Sequence, residues 1–529
     1  MGAGGASDVL IVGGGHNGLV CAYYLAERGL KVTVLEARAV IGGAAVTEAF
    51  HPGFRNSTAS YTVGLLNPKI IKDMSLYERG LKVVLRKIDN FLPTEGGAYL
   101  LAGRGGLTKS EIARHSAADA ANYDAYADAL NAVVGVLRQW LLRAPPNAGG
   151  GLGELLPLLK LGAGVNRLTL EEQRHLVDFF TRSAADILQR YFSTELVQAL
   201  FGFDAVVGHY ASPYAPGSAY VLLHHVFGEA AGVAGAWGHA IGGMGAITGA
   251  MAKACKDKGV EIVLETPVDE IIVERGRAAG AVAAGRTWRA KAVAAGVNPK
   301  LLFGRLLPQG AVGHDVSRRM AGWASESATF RMNVALSELP RFTSLPEPGD
   351  HLTAGIIVGP SLGYMDRAWL SARTDGFSKE PVVEMLIPST LDDSLAPPGS
   401  HVASLFCQHF PYDVPGGWDA RRDEAADAII TQVDRFAPGF ARSVIGRLAL
   451  SPLDLERRFG LVGGDIFHGK MGLDQLFANR PMLGHADYRM PLAGLYLCGS
   501  GAHPGGGVTG APGHNAAHII LKDRRRLGL

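Results

Sequence analysis

Cysteine is scarce: the 529 residues hold four, Cys21, Cys255, Cys407 and Cys498. They lie far apart and form no CxxC pair, which argues against a disulfide framework, a cysteine zinc site and a sequence-local redox disulfide. A reducing compartment fits, and with it a cytoplasmic protein. Charge of one sign is also missing. Lys+Arg number 51 against 49 Asp+Glu, a net +2, and charged residues make up 19% of the chain, where ordinary domains carry about 25%. A nucleic-acid binder needs a clustered basic surface, so no nucleic-acid partner is expected. No apolar run reaches the roughly 18 residues of a membrane helix. The opening MGAGGASD shows neither the basic nor the apolar region of a secretory signal. Ala6 stands where myristoylation wants Ser or Thr. There is no GxSxG elbow for Ser-His-Asp hydrolysis, and the 17 histidines include no HExxH, so no metal is expected.

Glycine is what the chain has in excess: 70 of 529 residues, nearly twice the average of about 7%. Proline adds only 27, and 47% of the residues are hydrophobic, so the glycine belongs to a folded chain. At about 150 residues per domain the length suggests two to four domains. A mean hydropathy of +0.13 suits a greasy pocket, a membrane-facing patch or a large interior.

The first forty residues carry the strongest signal. Val9-Leu10-Ile11-Val12 reads as a buried parallel strand, Gly13, Gly15 and Gly18 supply GxGxxG, and a helical stretch with Leu19, Ala22, Tyr23 and Leu25 follows. Gly29 stops that helix, Lys31–Leu35 reads as the second strand, and Glu36 closes it. Gly13 allows the tight turn, Gly15 lets backbone approach a pyrophosphate, and Gly18 lets helix pack on strand. The pyrophosphate then sits at the helix N-terminus, within reach of His16 and Asn17. Glu36 is placed to accept hydrogen bonds from a ribose, with Ala37 and Arg38 beside it. The doublet Gly42-Gly43, followed by Ala44-Ala45, resembles the second phosphate-contacting turn of FAD enzymes of the amine oxidase and phytoene desaturase type. Those families often carry an arginine after the doublet, where this chain has Ala44.

The spacing predicts a helix over 122–142, a break at Pro145-Pro146, a Leu-rich stretch over 152–161, and helices over 171–190 and 194–201. The Leu-rich stretch reads as a core or pocket helix, or as a peripheral membrane contact. Gly242–Gly245 precedes a helix over 246–258. Strands over 261–264, 268–273, 280–282 and 292–296 then return to the nucleotide sheet, with Val268 presenting backbone groups to an adenine. Strands over 354–358, 382–387 and 402–406, with a helix over 420–435, belong to a second domain. At the C-terminus, Leu495–Gly499 reads as a strand, Ser500–Gly513 as a loop and His514–Leu521 as the last helix. Gly505, Gly507 and Gly510 reproduce GxGxxG by spacing alone, without a following strand or ribose acid. The loop, with Gly499, Ser500, Val508, Thr509 and Gly510, is better placed to set backbone N–H groups against a flavin.

Together these segments resemble the phytoene desaturase-related flavoproteins, and most of all their pyridine nucleotide-disulphide oxidoreductase domain-containing branch. The resemblance rests on VLIVGGGHNGLVCAYYLAERGLKVTVLEARAVIGGAAVTE, FRNSTASYTVGLLNPKIIKD, SPYAPGSAYVLLHHVFGE, GAWGHAIGGMGAITGAMAKA and LYLCGSGAHPGGGVTGAPGHNAA. It implies bound FAD and an α/β fold. A Rossmann-type FAD-binding domain of the glutathione reductase and amine oxidase kind (1–75, 235–300, 461–529) would interleave with an α+β substrate or lid domain (76–234, 301–460). It implies hydride transfer from a hydrophobic, polyene or lipid-like substrate to flavin, as a dehydrogenase or desaturase. A flavin-dependent polyene isomerase and a non-catalytic FAD-bound scaffold are the alternatives, and a homo-oligomer is compatible with either. With no second dinucleotide fingerprint, oxygen or a quinone is the expected electron acceptor. His503, beside the C-terminal loop, is the first candidate base, and His239, next to Trp237, is the second. His224-His225 lie in a matching segment too.

Overall fold

Val9, Leu10 and Ile11 are fully buried, as a strand covered on both faces must be. The computed structural model describes residues 3–147, 162, 164–224 and 226–529. In it β1 (Ala3–Val12), α1 (His16–Ala26) and β2 (Val32–Leu35) form the predicted strand–helix–strand unit. β1 pairs in parallel with β2, Val12 opposite Leu35, and on its other side with Arg286–Ala295, Val12 opposite Ala295. Glu261–Val263 extends the sheet beyond β2. The ten-residue strand Arg286–Ala295 divides its far edge. Its first part pairs antiparallel with Arg277–Ala283, and its last part pairs in parallel with Leu495–Leu497, Ala295 opposite Leu497. The ends of five parallel strands from distant parts of the chain therefore fall side by side. Ligands in open α/β sheets bind outside such carboxyl ends.

α1 is buried along nearly its whole length, between the sheet and the final helix, Ala511–Lys522. The approach is close enough that a Cβ on Gly513 would lie 2.0 Å from the Asn17 carbonyl oxygen. A second seven-stranded sheet runs Val444–Leu450, Thr329–Leu336, His401–Gln408, Val382–Leu386, Gly355–Val358, Asn90–Pro93 and Tyr99–Ala102. It is antiparallel except where Gly355–Val358 meets Asn90–Pro93. A group of helices, Ala117–Leu141, Leu170–Thr181, Ala184–Tyr191 and Glu195–Gly202, encloses a separate apolar core around Tyr126, Val134 and Phe192.

Several boundaries differ from the sequence reading. The expected helix 171–190 is two helices, because Ser183 and Asp186 form a capping box that restarts the chain, a local polar exchange that competes with helix continuation. The helix expected from 122 starts at Ala117, capped by Ser116. The last helix starts at Ala511, three residues early, behind Gly510 in the left-handed region. Strands Thr329–Leu336 and Val444–Leu450 and helix Leu362–Asp375 have no counterpart in the sequence reading. The Leu-rich stretch 152–161 and His225 lie outside the described residues. Among the described residues no helix is long and apolar enough to cross a membrane.

Candidate functional site

The loop after β1 is a cradle that side chains would fill. Gly13 sits at φ +97°, and a Cβ on Gly18 would stand 2.2 Å from the Gly13 carbonyl oxygen, so helix and strand meet only because neither residue has a side chain. The Glu36 carboxylate accepts from Gly14 N–H at 2.8 Å and from Arg38 N–H at 2.9 Å. This acid at the end of β2 is thus locked to the loop at the end of β1. The doublet closes the other side: Gly42 N–H donates to the Gly14 carbonyl at 3.0 Å, and Gly43, at φ +59°, passes close to Gly15. Arg38 is held by Glu48 at 2.7 Å, over the Phe459 ring.

From this loop a cavity of about 600 Å³ runs past the ends of the five parallel strands. Gly13, Gly15, His16, Asn17, Gly18, Glu36, Ala37, Arg38, Gly43, Ala44, Ala45, Val268, Ser500 and Val508 all line it. Its far end is walled by Tyr61, Trp237, Phe406 and Phe467. Where Ala44 replaces the familiar arginine, Arg38, Arg457 and Arg458 line the groove instead. Buried polar atoms are left without partners along it: His16 Nε2, Asn17 Oδ1 and His468 Nδ1. Burial pushes both imidazoles down to about 4. Groups of this kind, beside a glycine cradle and a helix N-terminus, suit a dinucleotide bearing phosphate and hydroxyl groups.

The comparisons agree with this geometry. The model of the family described as flavin containing amine oxidoreductase matches residues 18–314. Pyridine nucleotide-disulfide oxidoreductase domain-containing protein 2 of Rattus norvegicus is 40% identical over 550 residues, covering 98% of this chain and 94% of the rat protein. This chain belongs to the flavin-containing amine oxidoreductases. Its cofactor is FAD. A more distant family relative is phytoene desaturase (lycopene-forming) of Pseudescherichia vulneris, 26% identical over 547 residues and covering 97% of this chain and 99% of that one. A redesigned putrescine oxidase shares the fold, with a TM-score of 0.60 at 15% identity over 98% of this chain and 99% of that one.

Within this flavin amine oxidoreductase the remaining predicted residues fall elsewhere. Gly42 and Gly499 stand behind the cavity wall: a Cβ on Gly499 would press 2.6 Å from the Gly296 carbonyl oxygen. Thr509 accepts from Asn67 N–H through its carbonyl, and Gly510 packs on Ile70. His503 needs correction. The loop turns at Gly505 and Gly507, both at positive φ, so that Val508 faces the cofactor cavity and His503 faces away. His503 Nε2 lies 3.0 Å from the Trp140 carbonyl, its ring meets Phe477 edge-on, and it lines a second cavity of about 390 Å³ that adjoins the first at Leu65. His239 is also taken up elsewhere, 3.0 Å from Asp392 and buried. Asp392 additionally accepts from Gly242 N–H and Ser394, and these bonds hold its carboxyl well below the usual range. Trp237, its neighbour, does reach the cofactor cavity.

The sequence reading missed three groups. Tyr61 and Phe406 stack at 5.4 Å on the cavity wall. Tyr61 lay inside a family-matching segment, whereas Phe406 is one apolar residue among many on its strand. His468, at φ +59°, gave no periodic signal. Arg480 is fully buried and donates to the carbonyls of Ser500, Phe467, Gly469 and Gln475, tying the Ser500 turn to the His468 loop. Nearby, burial raises Asp465 to about 6.

Proposed function

We propose that the protein is a dehydrogenase or desaturase that removes hydride from a hydrophobic, polyene or lipid-like molecule. The observation that carries this is the wall of the cofactor cavity beyond the glycine loop, where Tyr61, Trp237, Phe406, Phe467, Val207 and Ile466 gather. A conjugated or aliphatic body fills such a wall with little desolvation cost, whereas a small polar amine leaves its charge unpaired there. The name of its relative phytoene desaturase supports the same direction. FAD, when bound, supplies the two-electron acceptor. The chain's own part is to hold that acceptor through the loop amides and Glu36, to orient the substrate on the aromatic wall and to keep water out. Oxygen or a quinone then takes the electrons.

The test is anaerobic mixing of the FAD-loaded protein with carotenoids, fatty acyl compounds and amines, following loss of the flavin's visible absorbance. Bleaching by an apolar compound is expected. Bleaching confined to small polar amines refutes the reading. Product formed without bleaching assigns isomerisation, and neither change with any compound assigns a scaffold.

A further inference from the structure

Four arginines line the cofactor cavity, Arg38, Arg305, Arg457 and Arg458, and three of them are already committed. Arg38 and Arg458 share the Glu48 carboxylate, at 2.7 and 3.1 Å, and Arg457 pairs with Asp419 at 2.7 Å. Arg305 is exposed, and among the described residues its guanidinium has neither an ion pair nor a hydrogen bond.

The chain around Arg305 fixes where it stands. The strand Arg286–Ala295 ends beside the glycine loop, where Gly296 N–H donates to the Val12 carbonyl at 2.8 Å. Asn298 then caps a short helix, Pro299–Leu301, which runs into a π-helical turn, Leu302–Leu306. Leu307 N–H closes that turn on the Leu302 carbonyl at 3.0 Å. Such wide turns are rare and frequent at functional sites. Val297, Leu301 and Arg305 stand four residues apart and all line the cavity, so this segment leads away from the loop along one wall. It packs against the strand Val268–Glu274. Thr266, just before that strand, donates its N–H to the Glu36 carbonyl at 2.8 Å, which joins the strand to the ribose acid. Ala37, Pro267, Val268, Leu301 and Leu306 line this end of the cavity. It is an apolar slot with the exposed Arg305 at its rim.

A dinucleotide held by its pyrophosphate at the start of α1 and by a ribose at Glu36 carries its adenine on beyond Glu36, into this slot. A purine presents flat π faces. A guanidinium is planar, delocalised and weakly hydrated, so it stacks on such a face where an ammonium does not. No carboxylate holds Arg305 elsewhere, so stacking breaks no existing bond. We infer that Arg305 is the adenine-stacking residue of the FAD site and closes the slot from the solvent side. The inference concerns the cofactor and stands whichever substrate the protein oxidises.

The experiment is fluorescence titration of full-length apoprotein with FAD, for the wild type, Arg305→Ala and Arg305→Lys, at low and high salt. Arg305 sits on an exposed turn with no internal partner, so both variants are expected to keep the wild-type Tm. Arg305→Ala is expected to raise the FAD Kd about three- to tenfold, the range of one cation–π contact. Arg305→Lys keeps the charge but loses the plane, and its Kd is expected to lie close to that of Arg305→Ala. The loss is expected to persist at high salt, which screens an exposed ion pair. An unchanged Kd in Arg305→Ala overturns the inference. So does wild-type affinity in Arg305→Lys, or a loss that vanishes at high salt, since either makes the residue a charge partner of the pyrophosphate instead.

Discussion

Gly18→Ala puts a single methyl group where the fold has no room for it. The Cβ would stand 2.2 Å from the Gly13 carbonyl oxygen and 3.3 Å from Ile11 Cγ2. The first of these is backbone of the tightest turn in the site, at φ +97°, and has no rotamer by which to move aside. About 1 Å must be found by pushing α1 away from β1, and overpacking of this kind costs about 1–3 kcal/mol. The displaced groups are the loop amides that would hold the cofactor's pyrophosphate. An N–H···O bond of about 2.9 Å stretched by about 1 Å is no longer a bond. Losing one charge-assisted bond costs about 1.5–3 kcal/mol, which weakens FAD binding about 10- to 150-fold. Fluorescence titration of apoprotein with FAD measures this directly. Gly249→Ala is the control: it lies in the helix Gly245–Asp257 with nothing within 4 Å of a Cβ, and alanine there should stabilise by about 1 kcal/mol. An FAD Kd for Gly18→Ala within threefold of the wild type, with an unchanged Tm, would refute the reasoning.

Other expectations follow from the same contacts. Glu36→Ala removes the acceptor for Gly14 and Arg38 N–H along with the proposed ribose partner. FAD affinity should drop tenfold or more by equilibrium dialysis, and unchanged occupancy contradicts the assignment. Arg480→Met strands the buried carbonyls of Ser500, Phe467 and Gly469. It should cost about 3–5 kcal/mol in urea unfolding, and a loss under 1 kcal/mol would show that the tie is dispensable. Burial pushes His209 and His503 down to about 4 and His409 to about 3, below the 6.5 of a free imidazole. The unfolded chain therefore binds more protons as pH falls below 6.5, and stability is lost from there down towards pH 4. Each histidine loses about 1.4 kcal/mol at pH 5.5. Asp465, raised to about 6, acts in the opposite sense, being most stabilising below pH 4 and losing that contribution as pH rises through 6. The three histidines outweigh it, so Tm should fall between pH 8 and 5.5. A flat profile would mean that the imidazoles are solvated.

The nucleotide half of the site was legible because its chemistry is local in sequence. Strand, glycine turn, helix and terminal acid lie within Val9–Glu36, and each glycine answers a backbone constraint set by its near neighbours, as Gly18 and Gly13 show. Val268 was placed by the same logic at the start of a strand. The catalytic candidates were not legible. His503 stood in the right loop, but the side on which it emerges depends on two positive-φ glycines downstream. His239 is engaged by Asp392, 153 residues away. Nothing local marks either choice.

What the sequence by itself determined is the cofactor cradle, since close backbone approach requires glycine at fixed spacing and the strand periods are short-range. What only the tertiary structure decided is the aromatic wall at the other end of the cavity. Tyr61, Glu384, Arg331 and Phe406 come from segments separated by up to 345 residues in the chain, and they meet because the second sheet packs its Thr329–Leu336, Val382–Leu386 and His401–Gln408 strands beside the loop that carries Tyr61. A hydrogen-bonded cluster of single residues has no period and no spacing, so it becomes visible only when the sheet is assembled.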